Sequence, residues 1–166
     1  MDTEKKYFFL RFVVKRKIIL IFAFALRALR YFRRSSVYTI AIMNKVESAL
    51  QRTTDTKALV IGVDTLPQTA EMFKRLFPAG RALVVADSNT WRVAGKEVHR
   101  ILAEAGIAQD EPHIFTDPKL YAEWTFVGEL DGVLAATDAV PVAVGSGVIN
   151  DLTKLCSHHN GRRYMV

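Results

Sequence analysis

The chain has 166 residues, half of them hydrophobic and about a quarter charged. That is a globular composition, and it excludes a disordered or fibrous protein. The net charge of +6 is unevenly spread: residues 1–42 hold ten Lys and Arg against two Asp and Glu, while residues 43–166 hold thirteen against fifteen. The basic surplus belongs to the first stretch alone, so a nucleic-acid footprint spread over a folded surface is not supported.

Residues 1–42 read as apolar runs broken by basic clusters. The longest uninterrupted run, Ile18 to Leu26, has nine residues, well short of the roughly 20 that a membrane-spanning helix needs. It has the length of a signal-peptide core, with Lys15, Arg16 and Lys17 in front. Arg27, Arg30, Arg33 and Arg34 then stand where an uncharged cleavage region should be. Two readings stay open: a basic segment lying on an anionic membrane surface, or translated upstream sequence ahead of a start at Met43. Both place residues 1–42 outside the fold, with a separate domain at 43–166. The expected location is cytoplasmic, with membrane association through residues 1–42 as the alternative. The lone cysteine, Cys156, fits a reducing compartment.

From Ala58 onward, apolar runs alternate with helical patterns. The runs are Ala58 to Val63, Ala82 to Ala86, His113 to Phe115, Ala139 to Val144 and Tyr164 to Val166. Leu66, Ala70, Phe73 and Phe77 form the first helical face, with Asp64 or Thr65 as cap and Pro67 near the first turn. Trp91, Ala94, Val98, Ile101, Leu102 and Ala105 form a second stripe, starting near Ser88 or Asn89 and stopping at Gly106. Leu120, Trp124, Val127, Val133 and Leu134 form a third, and Trp91 and Trp124 read as core residues. Strands alternating with helices make βαβ units with right-handed crossovers. Continuously apolar strands are those covered by helices on both faces. The expected fold class is therefore α/β, a doubly wound, mostly parallel Rossmann-like sheet of about five strands. The chain reads as cut short inside the last of them.

The most informative segment is AVPVAVGSGVINDLTKLCSHHNG, residues 139–161. An apolar strand runs directly into Gly145-Ser146-Gly147, and a helix opens at once, with Val148, Ile149, Leu152, Leu155 and Cys156 as its apolar stripe. Such a junction lets a phosphate approach free backbone N–H groups at the helix start. A purely structural turn explains the spacing equally well. The dinucleotide fingerprint G-x-G-x-x-G is missing after the first strand, which reads Gly62-Val63-Asp64-Thr65. Asp87, ending the second strand, could accept hydrogen bonds from a ribose or simply cap the following helix. His158 and His159 are adjacent and diverge by about 100° on a helix. Cys156 lies on the apolar stripe, His99 and His113 stand alone, and no metal site is expected in this chain.

The segments LVVADSNTW (83–91), DAVPVAVGSGVINDLTK (138–154) and GRRYMV (161–166) carry a resemblance. They resemble the amino-terminal half of the sn-glycerol-1-phosphate dehydrogenases, within the iron-containing alcohol dehydrogenase and dehydroquinate synthase superfamily. The resemblance implies an NAD(P)-dependent oxidoreductase of phospholipid metabolism that interconverts glycerol 1-phosphate and dihydroxyacetone phosphate. It implies that Gly145, Ser146, Gly147, Val148 and Ile149 hold the pyrophosphate of NAD or NADP, and that Asp87 contacts the adenosine ribose. It sets Asp151 near the nicotinamide end; otherwise Asp151 is a favourable carboxylate in the first helical turn. Asp87 would repel a 2′-phosphate and so favours NAD. Two departures stand out. Position 148 is Val where the family most often has Thr, which removes a hydroxyl near the phosphates. The family's helical domain, with its divalent metal (zinc, nickel or iron) and most of the glycerol-phosphate site, is not in these residues. By itself the chain is expected to be inactive. A homo-oligomer stays open, and the alternative to an enzyme half is a non-catalytic nucleotide-binding α/β module.

Overall fold

The computed structural model describes residues 8–14, 17–23, 46, 48, 50–53, 56–62, 64–145 and 147–166. In chain order, strands β1 (Phe8–Val14), β2 (Lys17–Ala23) and β3 (Val60–Gly62) are followed by helix α1 (Gln68–Leu76) and strand β4 (Ala82–Asp87). A helix then opens at Ser88–Thr90, passes through a π-turn at Trp91–Gly95 and continues as α2 (Lys96–Glu104). Strand β5 (His113–Phe115), helix α3 (Trp124–Ala135), strand β6 (Val140–Val144) and helix α4 (Gly147–His159) complete the order. No helix among the described residues is long and apolar enough to cross a membrane.

The central sheet is parallel and runs β5-β4-β6. Met165 extends it beyond β6 through a single parallel bridge to Val142, with Ala143 N–H donating to Met165 O and Met165 N–H to Pro141 O, each at 2.8 Å. Every residue from Ala82 to Ala86 is buried. A strand apolar at each position can be stable only when both its faces are covered. The crossovers supply that cover. From β4 the chain moves to β5 on one side; from β5 it crosses back over β4 to β6, and from β6 it moves on to Met165. Right-handed connections in opposite directions put their helices on opposite faces. Consistent with this, α1 packs with α2, and α3 packs with α4. The fold is thus a Rossmann-like α/β arrangement, as its alternating pattern implies.

Two expectations change. Residues 58–63 read as the first strand of the central sheet, but β3 instead pairs in parallel with β2, Ile21 opposite Val60 and Ala23 opposite Gly62. The central sheet accordingly has three paired strands and the Met165 bridge, not five strands. Within residues 1–42, the backbone of β1 and β2 forms an antiparallel hairpin joined to β3. Phe, Val and Ile dominate both segments, and such residues favour extended backbone over a helix lying on a surface. The basic residues from Arg27 to Arg34, and Met43, fall outside the described residues.

The helix starts and stops show why these segments fold as they do. Asp87 caps the helix after β4, its Oδ1 accepting from Asn89 N–H at 2.9 Å and Thr90 N–H at 2.8 Å. Thr90 Oγ1 accepts in return from Asp87 N–H at 3.0 Å, closing a reciprocal capping box. Gly106, at φ 72°, provides the left-handed residue that ends α2. The π-turn between them has a local cause: a Cβ on Gly95 would lie 2.6 Å from the Trp91 ring, so the missing side chain makes room for the indole. At α1 neither expected cap operates. Pro67 occupies the cap position without a side-chain bond, and Thr65 is buried. Trp91 packs half-buried against the core as expected, whereas Trp124 is 77% exposed in the first turn of α3, where Val127, Leu130 and Leu134 turn inward instead.

His113, half-buried on β5, stacks edge-to-face on Phe115 at 4.5 Å. Burial holds its imidazole below its usual 6.5, and the nearby Glu129 carboxylate, 3.2 Å away, pulls the other way. The folded chain therefore keeps His113 neutral while the unfolded chain takes up a proton from about pH 6.5 downward, so this site removes stability as pH falls through that range. Urea unfolding at pH 7.5 and 5.5 should show His113→Leu losing less stability in acid than the native chain. Equal losses would mean that His113 is not a source of the acid sensitivity.

Candidate cofactor-binding site

The strand order builds the site. Successive crossovers leave β4 and β6 in opposite directions although the two strands are neighbours, so a crevice opens between their carboxyl ends. That switch point is where open α/β sheets bind ligands. Ala86 is registered with Val144, which sets the next residues, Asp87 and Gly145, side by side at the crevice. Two features more than fifty positions apart in sequence thereby meet at one edge.

The two described glycines of the loop differ in what they face. Gly145 is buried, and a Cβ there would lie 2.7 Å from both Cβ and Cγ1 of Ile149. Its small size lets α4 dock on the end of β6. Gly147 is exposed and opens α4; nothing lies within 4 Å of where its Cβ would be, and its φ is not positive. Neither packing nor backbone conformation among the described residues calls for glycine at 147. What its lack of a side chain does supply is open access to the first N–H groups of a thirteen-residue helix. Those groups have no partner inside the helix and carry its positive dipole end, which suits an anionic phosphate.

The other expected residues fall into place unevenly. Val148 is half-buried, and Ile149 is fully buried against the sheet, so its side chain serves packing and only its backbone could face a ligand. Ser146 lies outside the described residues. Asp151 is exposed and is the fifth residue of α4, which places it past the first turn. Asp87 is half-buried, with Oδ1 engaged by the cap; among the described residues Oδ2 has no hydrogen-bond partner. Capping and ligand binding are therefore compatible there, one oxygen for each. Ser88, next in the chain, donates from Oγ to Phe115 O at 3.3 Å, tying the ends of β4 and β5 together beside the crevice.

Farther from this edge, polar residues serve the fold. Cys156 is fully buried, its thiol pushed up to about 12, chiefly by burial and then by Asp131. A neutral, inaccessible thiol is a core residue. His159 Nδ1 lies 2.8 Å from Asp131 Oδ2, and Asn160 Nδ2 donates to Asp131 Oδ1 at 3.0 Å, binding α4 to α3. Sequence reasoning missed the stripe Asn150, Thr153 and Ser157, all buried, with side-chain oxygens unpartnered among the described residues. Among the described residues no three His, Cys, Asp or Glu side chains come together as a metal site would require.

The chain is 29% identical over 106 residues to a glycerol-1-phosphate dehydrogenase [NAD(P)+] of Pyrococcus furiosus; the match covers 63% of this chain and 29% of that protein. The chain thus spans less than a third of the length of this curated relative. No solved structure matches the chain. The sequence profile of the iron-containing alcohol dehydrogenases matches residues 60–166, which takes in β3, the central sheet, the glycine loop and Asp87. With most of its length matched to that profile, the chain belongs to the iron-containing alcohol dehydrogenase family, a family of oxidoreductases.

Proposed function

We propose that this chain is the cofactor-binding part of an NAD(P)-dependent glycerol-1-phosphate dehydrogenase. The observation that carries the reading is the placement of Gly147 and Asp87 at one switch point: an exposed glycine opening the helix after β6, beside a β4 carboxylate whose Oδ2 has no hydrogen-bond partner among the described residues. A dinucleotide presents the two kinds of group that such a pair would bind, phosphates for the helix start and a ribose diol for the carboxylate. Gly145, Ser146, Gly147, Val148 and Ile149 hold the pyrophosphate, the last three through their backbone N–H groups, and Asp87 Oδ2 accepts from the ribose hydroxyls. Asp151, one turn along the exposed side of α4, stands toward the nicotinamide.

The nicotinamide, when bound, would accept hydride from the secondary carbon of glycerol 1-phosphate in its oxidised form and, in its reduced form, supply it to the carbonyl carbon of dihydroxyacetone phosphate. The chain's own part is to bind and orient it. The described residues do not fit a divalent metal, so zinc, nickel or iron and most contacts to glycerol phosphate are assigned elsewhere in the complete enzyme. Residues 43–166 form the nucleotide-binding domain in this reading, and residues 1–42 are an extension to it. Titration calorimetry of the 166-residue chain with NAD and with ADP should show weak, saturable, one-to-one binding of both. Nicotinamide mononucleotide should bind more weakly than ADP, because it lacks the adenosine ribose that Asp87 would hold. Absence of binding by NAD and ADP alike would overturn the reading.

A further inference from the structure

We infer that Arg92 receives the 2′-phosphate of NADP, so that this site takes the phosphorylated cofactor despite the carboxylate at Asp87. The inference rests on the cofactor placement proposed above. Arg92 is exposed one turn beyond the helix start, and its Nη2 donates to Asn89 Oδ1 at 2.9 Å. The backbone N–H of Asn89 in turn donates to Asp87 Oδ1 at 2.9 Å. Asn89 thus links the guanidinium to the helix start that the Asp87 carboxylate caps.

Its charge is also free. Arg81 and Arg100 are each engaged by carboxylates, Arg81 by Asp110 and Arg100 by Glu97 and Glu104. Arg92 forms no ion pair with Asp87 or with any other carboxylate among the described residues, where its hydrogen-bond partner is the neutral Asn89 amide. A guanidinium presents several donors in a planar fork that suits phosphate oxygens. A 2′-phosphate on a ribose held at Asp87 Oδ2 would meet repulsion from the carboxylate and attraction from Arg92 together. With Oδ1 already committed to two backbone donors, much of the carboxylate's charge is turned into the helix start.

The experiment compares NAD with NADP, and 5′-AMP with 2′,5′-ADP, by titration calorimetry on the 166-residue chain and its Arg92→Ala and Asn89→Ala variants. Arg92→Ala should weaken NADP and 2′,5′-ADP about tenfold, the loss of one charge-assisted contact, while leaving NAD and 5′-AMP within about twofold. Asn89→Ala should give a smaller loss confined to the same two ligands, since it frees the guanidinium without removing it. The Arg92 effect should shrink as salt is raised. Equal affinities of native chain and Arg92→Ala for NADP, or equal losses for NAD and NADP, would overturn the assignment while leaving the cofactor site intact. If the native chain bound none of the four ligands, the underlying placement would fail, and this inference with it.

Discussion

Gly147→Val should leave the fold intact and abolish measurable nucleotide binding. The first half of that expectation comes from the space around the residue: apart from its chain neighbours and its own helix backbone, no atom of the described residues lies within 4 Å of the position its Cβ would take, and its backbone is not in the left-handed region. Thermal unfolding should therefore change by no more than about 1 kcal/mol, the scale of a surface substitution in a helix. The second half comes from what would enter that space. A branched side chain at the first position of α4 would cover the N–H groups that a pyrophosphate must reach. Each charge-assisted bond lost is worth about 1.5–3 kcal/mol, so losing even two predicts an affinity at least about a hundredfold weaker. Gly147→Ala should fall between. Calorimetry showing native affinity for NAD in the valine variant would remove the phosphate from this helix start.

Gly145→Ala should do the reverse and act on the fold before it acts on the ligand. The new Cβ would lie 2.7 Å from the Cβ and Cγ1 of Ile149. Ile149 is fully buried, and its Cβ is attached directly to the backbone, so no rotamer change relieves the contact. The first turn of α4 has to move off the end of β6. Overpacking of this kind costs about 1–3 kcal/mol, which for a chain of this size lowers the melting temperature by roughly 3–10 °C. An unchanged melting temperature would show that the strand–helix junction yields more readily than its packing indicates. Two glycines separated by one residue thus have different reasons to be glycine, and the pair of variants separates them.

Much of this was legible in the sequence, for identifiable reasons. The succession from β4 to α4 showed itself because its strands are continuously apolar and its helices have strong end signals, Asp87 and Ser88 at one start, Gly106 and Asn160-Gly161 at two stops. Less legible was anything that depends on which strand lies beside which. The placement of β3 next to β2 could not be read from an apolar run alone, since such a run fits a central sheet equally well. Trp124 counted as core because its spacing matched Val127 and Leu134, but a first-turn residue can keep the period and still face outward at the sheet edge. The site was half visible. Gly145-Ser146-Gly147 and Asp87 were legible as residues at the carboxyl edge of one parallel sheet, but only the order β5-β4-β6 makes their strands neighbours. That Asp87 divides its two oxygens between cap and crevice is a matter of side-chain geometry that no spacing reveals.

This division of labour at Asp87 constrains how cofactor preference could be re-engineered or could drift. Replacing the carboxylate by alanine would discard the helix cap along with the ribose contact, at a cost of about 1 kcal/mol or more in stability. A charge-reversing arginine at the same position would lose the cap as well. Asparagine is different: it caps as well as aspartate does, keeps one oxygen for Asn89 N–H and Thr90 N–H, and removes the negative charge. Variants that come to favour a phosphorylated ribose are therefore expected to pass through Asp87→Asn, because among the simple replacements it alters the ligand's electrostatic surroundings while leaving the start of the helix in place.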